Sequence, residues 1–261
     1  MARNRTTPPP EHARTRRVFG QNFLADPAAV QKMVKAADLT PGGLVYEVGA
    51  GRGRLTAALT GQGRRVIAYE VDPVMAAALP RRPGLEVRAE DFLRVRPPAE
   101  PFAVVGNIPY ALTAAVVDWC LRAETLTTAT LLTQLEYARK RTGDYGRWSR
   151  LTVSTWPVVG WHLAARIPRT AFRPVPRVDG GVVRLTRRPV PLVADLHAYR
   201  RMVELGFTGV GGSLHATLSR HYGRARAASA FRAVRVHPDA PVGEVWPEQW
   251  LTLFRLLSAV R

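Results

Sequence analysis

Cysteine is almost missing from this sequence: Cys120 stands alone among 261 residues. One thiol cannot close an internal disulfide, and it offers no cluster for a metal. In the run VVDWCL it reads as core packing. The six histidines show no ligand spacing, so no metal site is expected. No apolar run approaches the ~20 residues that span a bilayer. The opening MARNRTTPPPEHARTRR has no apolar centre of the kind a secretion signal carries. It is arginine-rich, as transit peptides are, but Pro8, Pro9 and Pro10 forbid the amphipathic helix such peptides form. Residues 1–18 therefore read as a flexible basic arm whose arginines suit phosphate contacts. A cytoplasmic protein without membrane contact is expected.

Acidic residues are scarce as well. Twenty Asp and Glu face 38 Lys and Arg, giving a formal net charge of +18. Three of the basic residues are lysines, Lys32, Lys35 and Lys140. Codon bias can produce a preference for Arg over Lys, but it does not explain a shortage of acids. A large positive charge on a chain with 46% hydrophobic residues suggests a well-formed core and a polyanionic partner, most often nucleic acid. No strong basic amphipathic helix is present to favour a membrane surface.

What is there is an alternation of strand and helix signals. DPAAVQKMVKAADL reads as a helix with Asp26 as N-cap and Pro27 in the first turn. After the break Pro41-Gly42-Gly43, strands are expected at 44–49, 65–72, 85–91 and 102–107. Helices are expected at 53–63, after the second strand to Leu79, and at 111–123. This alternation implies a parallel sheet with helices on both faces. Further strand-like runs follow at ATLLTQ, LTVSTWPVVGWHLAARI and GGVVRLTRR. Pro189-Val190-Pro191 reads as a linker, and from Asp195 onward only helical periods remain. The expected organisation is a basic arm (1–18), an α/β domain (19–188) and a small helical domain (189–261).

Three motifs lie where strands end. In EVGAGRG (47–53), glycines at 49, 51 and 53 let a backbone approach a ligand. Glu70 ends the next strand, placed to accept hydrogen bonds from both ribose hydroxyls of an adenosine. A glycine-rich turn with a surface Glu is the structural alternative. A nicotinamide dinucleotide is the competing ligand, but the third glycine comes one residue early for its usual spacing. Glu47 is poorly placed for a pyrophosphate and better suited to the cationic end of S-adenosylmethionine. Glu90-Asp91-Phe92 can hold an adenine, with a carboxylate for the exocyclic amine and an apolar ring beside the base; an exposed acidic turn is the alternative. In VVGNIPYALT (104–113), Gly106 and Pro109 are turn chemistry. Asn107 and a carbonyl held by Pro109 can accept from an amino group, and Tyr110 can stack on an extruded base.

FGQNFL (19–24), EVGAGRG, Glu70, Asp91, NIPY and FRPVPRVDGGVVRL (172–185) occur in the order found in rRNA adenine N6-methyltransferases. The chain most closely resembles the Erm family, the erythromycin-resistance enzymes that act on 23S rRNA. The resemblance implies a Rossmann-like α/β methyltransferase domain with a small C-terminal all-α domain. It implies S-adenosyl-L-methionine contacts from Asn22, Leu24, Gly49, Glu70, Asp91 and Asn107, to which the motif reading adds Gly51 and Phe92, and target-base contacts from Asn107, Tyr110 and Phe172. Packing among prolines is the other reading of Phe172. The implied reaction methylates one adenine in the peptidyl-transferase loop of 23S rRNA, before full ribosome assembly and by a monomer. That modification blocks macrolide, lincosamide and streptogramin B binding. The dimethyladenosine transferases of small-subunit rRNA share most of these motifs. They commonly carry Leu where Ile108 stands and a basic run where GFTGVGGSLHATL (206–218) lies, which favours Erm. A nicotinamide-dependent oxidoreductase and a non-catalytic RNA-binding protein are the remaining readings. Glu136, Tyr137, Arg139, Lys140 and Arg141 read either as a solvated helix face or as an RNA backbone contact. Trp148, Trp156 and Trp161 read as packing.

Overall fold

The structure, a computed structural model, describes residues 22–258. The basic arm and the first half of FGQNFL lie outside those residues. In chain order the elements begin with β1 (Phe23–Leu24), α1 (Pro27–Ala37), β2 (Leu44–Val48), α2 (Arg54–Leu59) and β3 (Arg65–Tyr69). Next come α3 (Pro73–Ala78), β4 (Leu85–Arg88), β5 (Phe102–Asn107), α4 (Thr113–Arg122) and β6 (Leu126–Gln134). They continue with α5 (Leu135–Thr142), α6 (Arg150–Thr155), β7 (Val159–Ile167), β8 (Phe172–Arg173) and β9 (Gly180–Arg187). Four helices close the chain: α7 (Leu196–Gly206), α8 (Leu214–Tyr222), α9 (Arg224–Ala233) and α10 (Pro247–Ser258). Among the described residues no helix is long and apolar enough to cross a membrane.

Seven strands form one sheet in the order β4-β3-β2-β5-β6-β9-β7, and β1 pairs with β8 separately. The pairs β2–β3, β2–β5, β3–β4 and β5–β6 are parallel. This is the α/β, Rossmann-like architecture that the strand–helix alternation implies. Chain order reverses at β2, whose neighbours are β3 on one side and β5 on the other. In open sheets of this kind ligands bind beyond the carboxyl ends of the strands at that reversal.

Burial explains why these segments are strands. All five residues of β2 are buried, as expected of a central parallel strand covered on both faces. Side chains alternate across the sheet. Val45, with Val66 and Val105, packs against Val30 and Met33 of α1 and Leu55 and Leu59 of α2. Tyr46 joins an aromatic cluster, with its ring 5.2 Å from Tyr69 and 4.9 Å from Phe102. Helix α1 starts as its sequence suggests: Asp26 accepts from the Ala28 amide at 2.8 Å, with Pro27 following.

The chain packs into two compact units. Among the described residues, one holds those up to Leu135 and Ala164–Val182; the other holds Glu136–Leu163 and those from Val183 onward. This division differs from the expected boundary at 188/189. In the second unit Val153 of α6 shares an apolar cluster with Tyr199, Met202, Leu218, Phe231 and Trp250. The Tyr199 hydroxyl also donates to the Val153 carbonyl at 3.0 Å. The strand-like run LTVSTWPVVGWHLAARI is in fact a helix followed by a strand. Ser149 caps α6 by accepting from the Thr152 amide, and that cap with the burial of Val153 outweighs the β-branched composition. In the same unit Gly206 has no room for a side chain: a Cβ there would lie 2.4 Å from the Trp250 ring.

Candidate active site

A pocket opens at the reversal point, entirely within the first unit. Its lining includes Asn22, Leu24, Gly49, Gly51, Glu70, Asp91, Phe92, Asn107 and Tyr110. Four parallel strands deliver these residues: β2 leads into the glycines, β3 into Glu70, β4 into Asp91, and β5 ends on Asn107.

The glycine loop is short because three of its residues take left-handed backbone angles. Gly49, Gly51 and Gly53 have φ of 71°, 53° and 74°. At Gly51 a Cβ would also sit 3.0 Å from the Phe23 ring. Glu70, 2% exposed, organises the loop. One carboxylate oxygen accepts from the Gly51 amide at 2.8 Å and the other from the Asp72 amide at 3.0 Å. Each oxygen keeps a second lone pair for a ligand hydroxyl. The expected strand 65–72 ends at Tyr69, so Glu70 begins the turn.

Asp91 lies beyond β4, which ends at Arg88 rather than 91. It caps a 3-10 turn at Phe92–Arg94, accepting from the Leu93 amide at 3.0 Å. The buried Phe92 ring is fixed against Tyr69 at 5.6 Å and Trp119 at 4.4 Å. The carboxylate and the aromatic wall are thus set by one short turn.

Asn107 is the last residue of β5, and its Nδ2 donates to the Asn22 carbonyl at 2.8 Å. This bond orients the amide and leaves Oδ1 as its acceptor. Gly106 belongs to the strand instead of a turn; a Cβ would lie 2.9 Å from the Val48 carbonyl oxygen, too close to the neighbouring β2. Tyr110 opens a 3-10 turn, and its buried hydroxyl has no hydrogen-bond partner. Burial, with the Asp179 charge adding, raises its pKa, so the ring stays neutral at physiological pH.

Two residues singled out in the sequence lie outside the lining of this pocket. The Phe172 ring does not line the pocket. It is fully buried with Leu132, Ile167 and Val182, while its backbone pairs with Leu24. Glu47 does not line it either. It lies one residue from the end of a strand buried on both faces, 1% exposed, with Thr56 as its polar neighbour. Burial raises its carboxyl to about 7, the Glu70 charge adds to this, and Thr56 pulls the other way.

The sequence reading missed the first-unit arginines at the rim. Arg52 and Arg54 also line the pocket, Arg52 lying over the Phe23 ring at 5.0 Å. The place of Arg52 inside the glycine motif was an available signal; Arg54 follows that motif and carried none. In the second unit, Arg139 pairs with Asp144 at 2.5 Å and Arg141 donates to the Ser149 hydroxyl. These two have intramolecular partners, while Lys140 is exposed. Trp148 and Trp161 are buried, as the packing reading expects.

The family description "Ribosomal RNA adenine dimethylase" matches residues 12–259. An rRNA adenine N-6-methyltransferase of Streptomyces fradiae is 53% identical over 256 residues, covering 95% of this chain and 80% of that protein. A solved structure of the 23S rRNA methyltransferase ErmE aligns with a TM-score of 0.89 at 50% identity, covering 91% of this chain and all of that one. A ribosomal RNA small subunit methyltransferase A of a Synechococcus strain is 34% identical over 260 residues, covering 93% of this chain and 92% of that protein.

Proposed function

The chain belongs to the ribosomal RNA adenine dimethylase family, and from that premise we propose that it methylates N6 of one adenine in 23S rRNA. The observation that carries this reading is the grouping of Glu70, Asp91 and an oriented Asn107 around one pocket. The resistance to macrolides, lincosamides and streptogramin B that Erm-type modification gives is the physiological outcome. The 50% identity to the 23S rRNA methyltransferase ErmE, against 34% to the small-subunit enzyme, supports the large-subunit target.

The residues fit S-adenosyl-L-methionine. Glu70 is a pinned carboxylate with acceptor capacity to spare, suited to a ribose diol. Asp91 and Phe92 pair an acceptor with an apolar wall, suited to adenine. Gly49 and Gly51 bring bare backbone to the pocket edge, and Asn22 and Leu24 close its other side. When bound, S-adenosylmethionine supplies a methyl group already activated on a sulfonium.

The protein's own contribution is positioning and electrostatics. The lone pair of an adenine amine is delocalised into the ring, which makes it a weak nucleophile. Asn107 Oδ1 accepts one N–H of that amine, and the carbonyl of Ile108 or Pro109 accepts the other. Both bonds favour a pyramidal nitrogen with its lone pair exposed. Tyr110 gives its ring face to the extruded base. After gaining the methyl group, the amine sheds its proton to water. Positive charge on the protein draws the RNA phosphates. The enzyme acts as a cytoplasmic monomer on rRNA not yet fully assembled.

The direct test is transfer of labelled methyl from S-adenosylmethionine to unmodified 23S rRNA, with titration of S-adenosylmethionine and NAD in parallel. Label in 23S rRNA and binding of the first cofactor alone are expected. Label confined to small-subunit rRNA, or NAD binding, contradicts the reading.

A further inference from the structure

We infer that Arg54 is a positioning residue for methyl transfer, acting through the segment Asn22–Ala25. The inference rests on the reading of the pocket given above and extends it to a side chain that touches no reacting atom.

The segment Asn22–Ala25 is joined to three elements at once. Its Asn22 carbonyl accepts from Asn107 Nδ2 at 2.8 Å. Its β1 residues pair with β8, Phe23 opposite Arg173 and Leu24 opposite Phe172. Its end is held from both sides of one residue: the Ala25 amide donates to the Ala171 carbonyl at 2.7 Å. The Ala25 carbonyl accepts from Arg54 Nη1 at 2.5 Å. Arg54 is the first residue of α2 and follows Gly53 directly. It therefore joins the glycine loop to the strap that fixes the Asn107 amide.

β1 has two residues, and the Phe23 ring sits against Gly51 and under Arg52. Without Arg54, Ala25 keeps its bond to Ala171 but loses its tie to the glycine loop. Asn22 then drifts relative to Gly51, and Asn107 loses its fixed orientation. Sub-ångström errors of this kind reduce turnover more than they reduce binding. Arg54 is exposed, so its removal does not threaten the fold.

The experiment compares Arg54→Ala and Arg54→Lys with the unaltered protein in steady-state methylation, thermal unfolding and hydrogen exchange. For Arg54→Ala we expect kcat to fall about 5- to 10-fold at saturating S-adenosylmethionine and RNA, in line with loss of one charge-assisted hydrogen bond. Amides in peptides covering 22–26 and 171–173 should exchange faster, with Tm within about 2 °C. Arg54→Lys, which keeps a charged donor, should restore at least half of the lost turnover. A rise in KM for S-adenosylmethionine alone would mean a direct cofactor contact and overturn the inference. A salt-dependent rise in KM for RNA alone would mean a phosphate contact and overturn it too. Unchanged exchange in the two peptides also refutes it. If the unaltered protein does not methylate RNA, the proposed function fails, while the exchange comparison still decides whether Arg54 holds the strap.

Discussion

Replacing Glu47 with Gln should stabilise this protein, and more so as pH rises. The carboxyl sits in the central strand, 1% exposed, with only Thr56 as a hydrogen-bonding neighbour among the described residues. Burial lifts it from an ordinary 4.5 to about 7. Between those values it holds a proton when folded and gives it up when unfolded. The folded state binds more protons there, so stability falls as pH rises through that window. Above about pH 7 the full cost is in force, about 3 kcal/mol at ~1.4 kcal/mol per pH unit. Gln has nearly the same volume and no charge, so it carries none of this cost. Denaturant unfolding of both proteins at about pH 5 and about pH 8.5 isolates the effect, because the change in net charge with pH is common to both. The advantage of Glu47→Gln should grow by about 2–3 kcal/mol between the two conditions. An advantage that does not change with pH would refute the reasoning, since it would mean the carboxyl titrates alike in the folded and unfolded chains.

Three further outcomes follow from the pocket and a fourth from the charge. Tyr110→Phe should keep turnover within about threefold, because the buried hydroxyl has no partner. Tyr110→Ala should cost about 10- to 100-fold in kcat with little change in cofactor affinity, as loss of a base-stacking ring predicts; equal losses in both would argue against that role. Gly51→Ala combines a φ of 53° with a Cβ 3.0 Å from Phe23. It should weaken S-adenosylmethionine binding at least tenfold, about 1.4 kcal/mol, by calorimetry, and near-normal affinity would show that the loop tolerates a side chain. RNA affinity should fall steeply between low and moderate salt, as a filter-binding series would show; a flat dependence would contradict the role given to the +18 charge.

Much of the first unit was legible because its signals are local. Glycines at 49, 51 and 53 mark a turn that needs left-handed angles, and the apolar runs around them mark buried strands. Glu70, Asp91 and Asn107 follow from their place at strand ends. Glu47 was misread because a carboxylate next to a glycine loop looks ligand-facing, whereas the strand's burial on both faces leaves it no route to the pocket. Phe172 was ambiguous for another reason: the sequence sets it among prolines but does not say which way the ring turns. The helix α6 was hidden by its β-branched residues: the Ser149 cap is local and was overlooked, while the partner at Tyr199 is a tertiary fact. Arg54 could not be singled out among so many arginines, because its role depends on a carbonyl 29 residues away.

The most direct test of the central claim is to find which atom receives the methyl group. Unmodified ribosomal RNA would be incubated with the protein and S-adenosylmethionine, digested, and mapped by mass spectrometry. A pocket that presents an extruded adenine amine to Asn107 predicts methyl on N6 of one adenine in 23S rRNA. Methyl on another atom or another base, or on the small-subunit RNA alone, would contradict it.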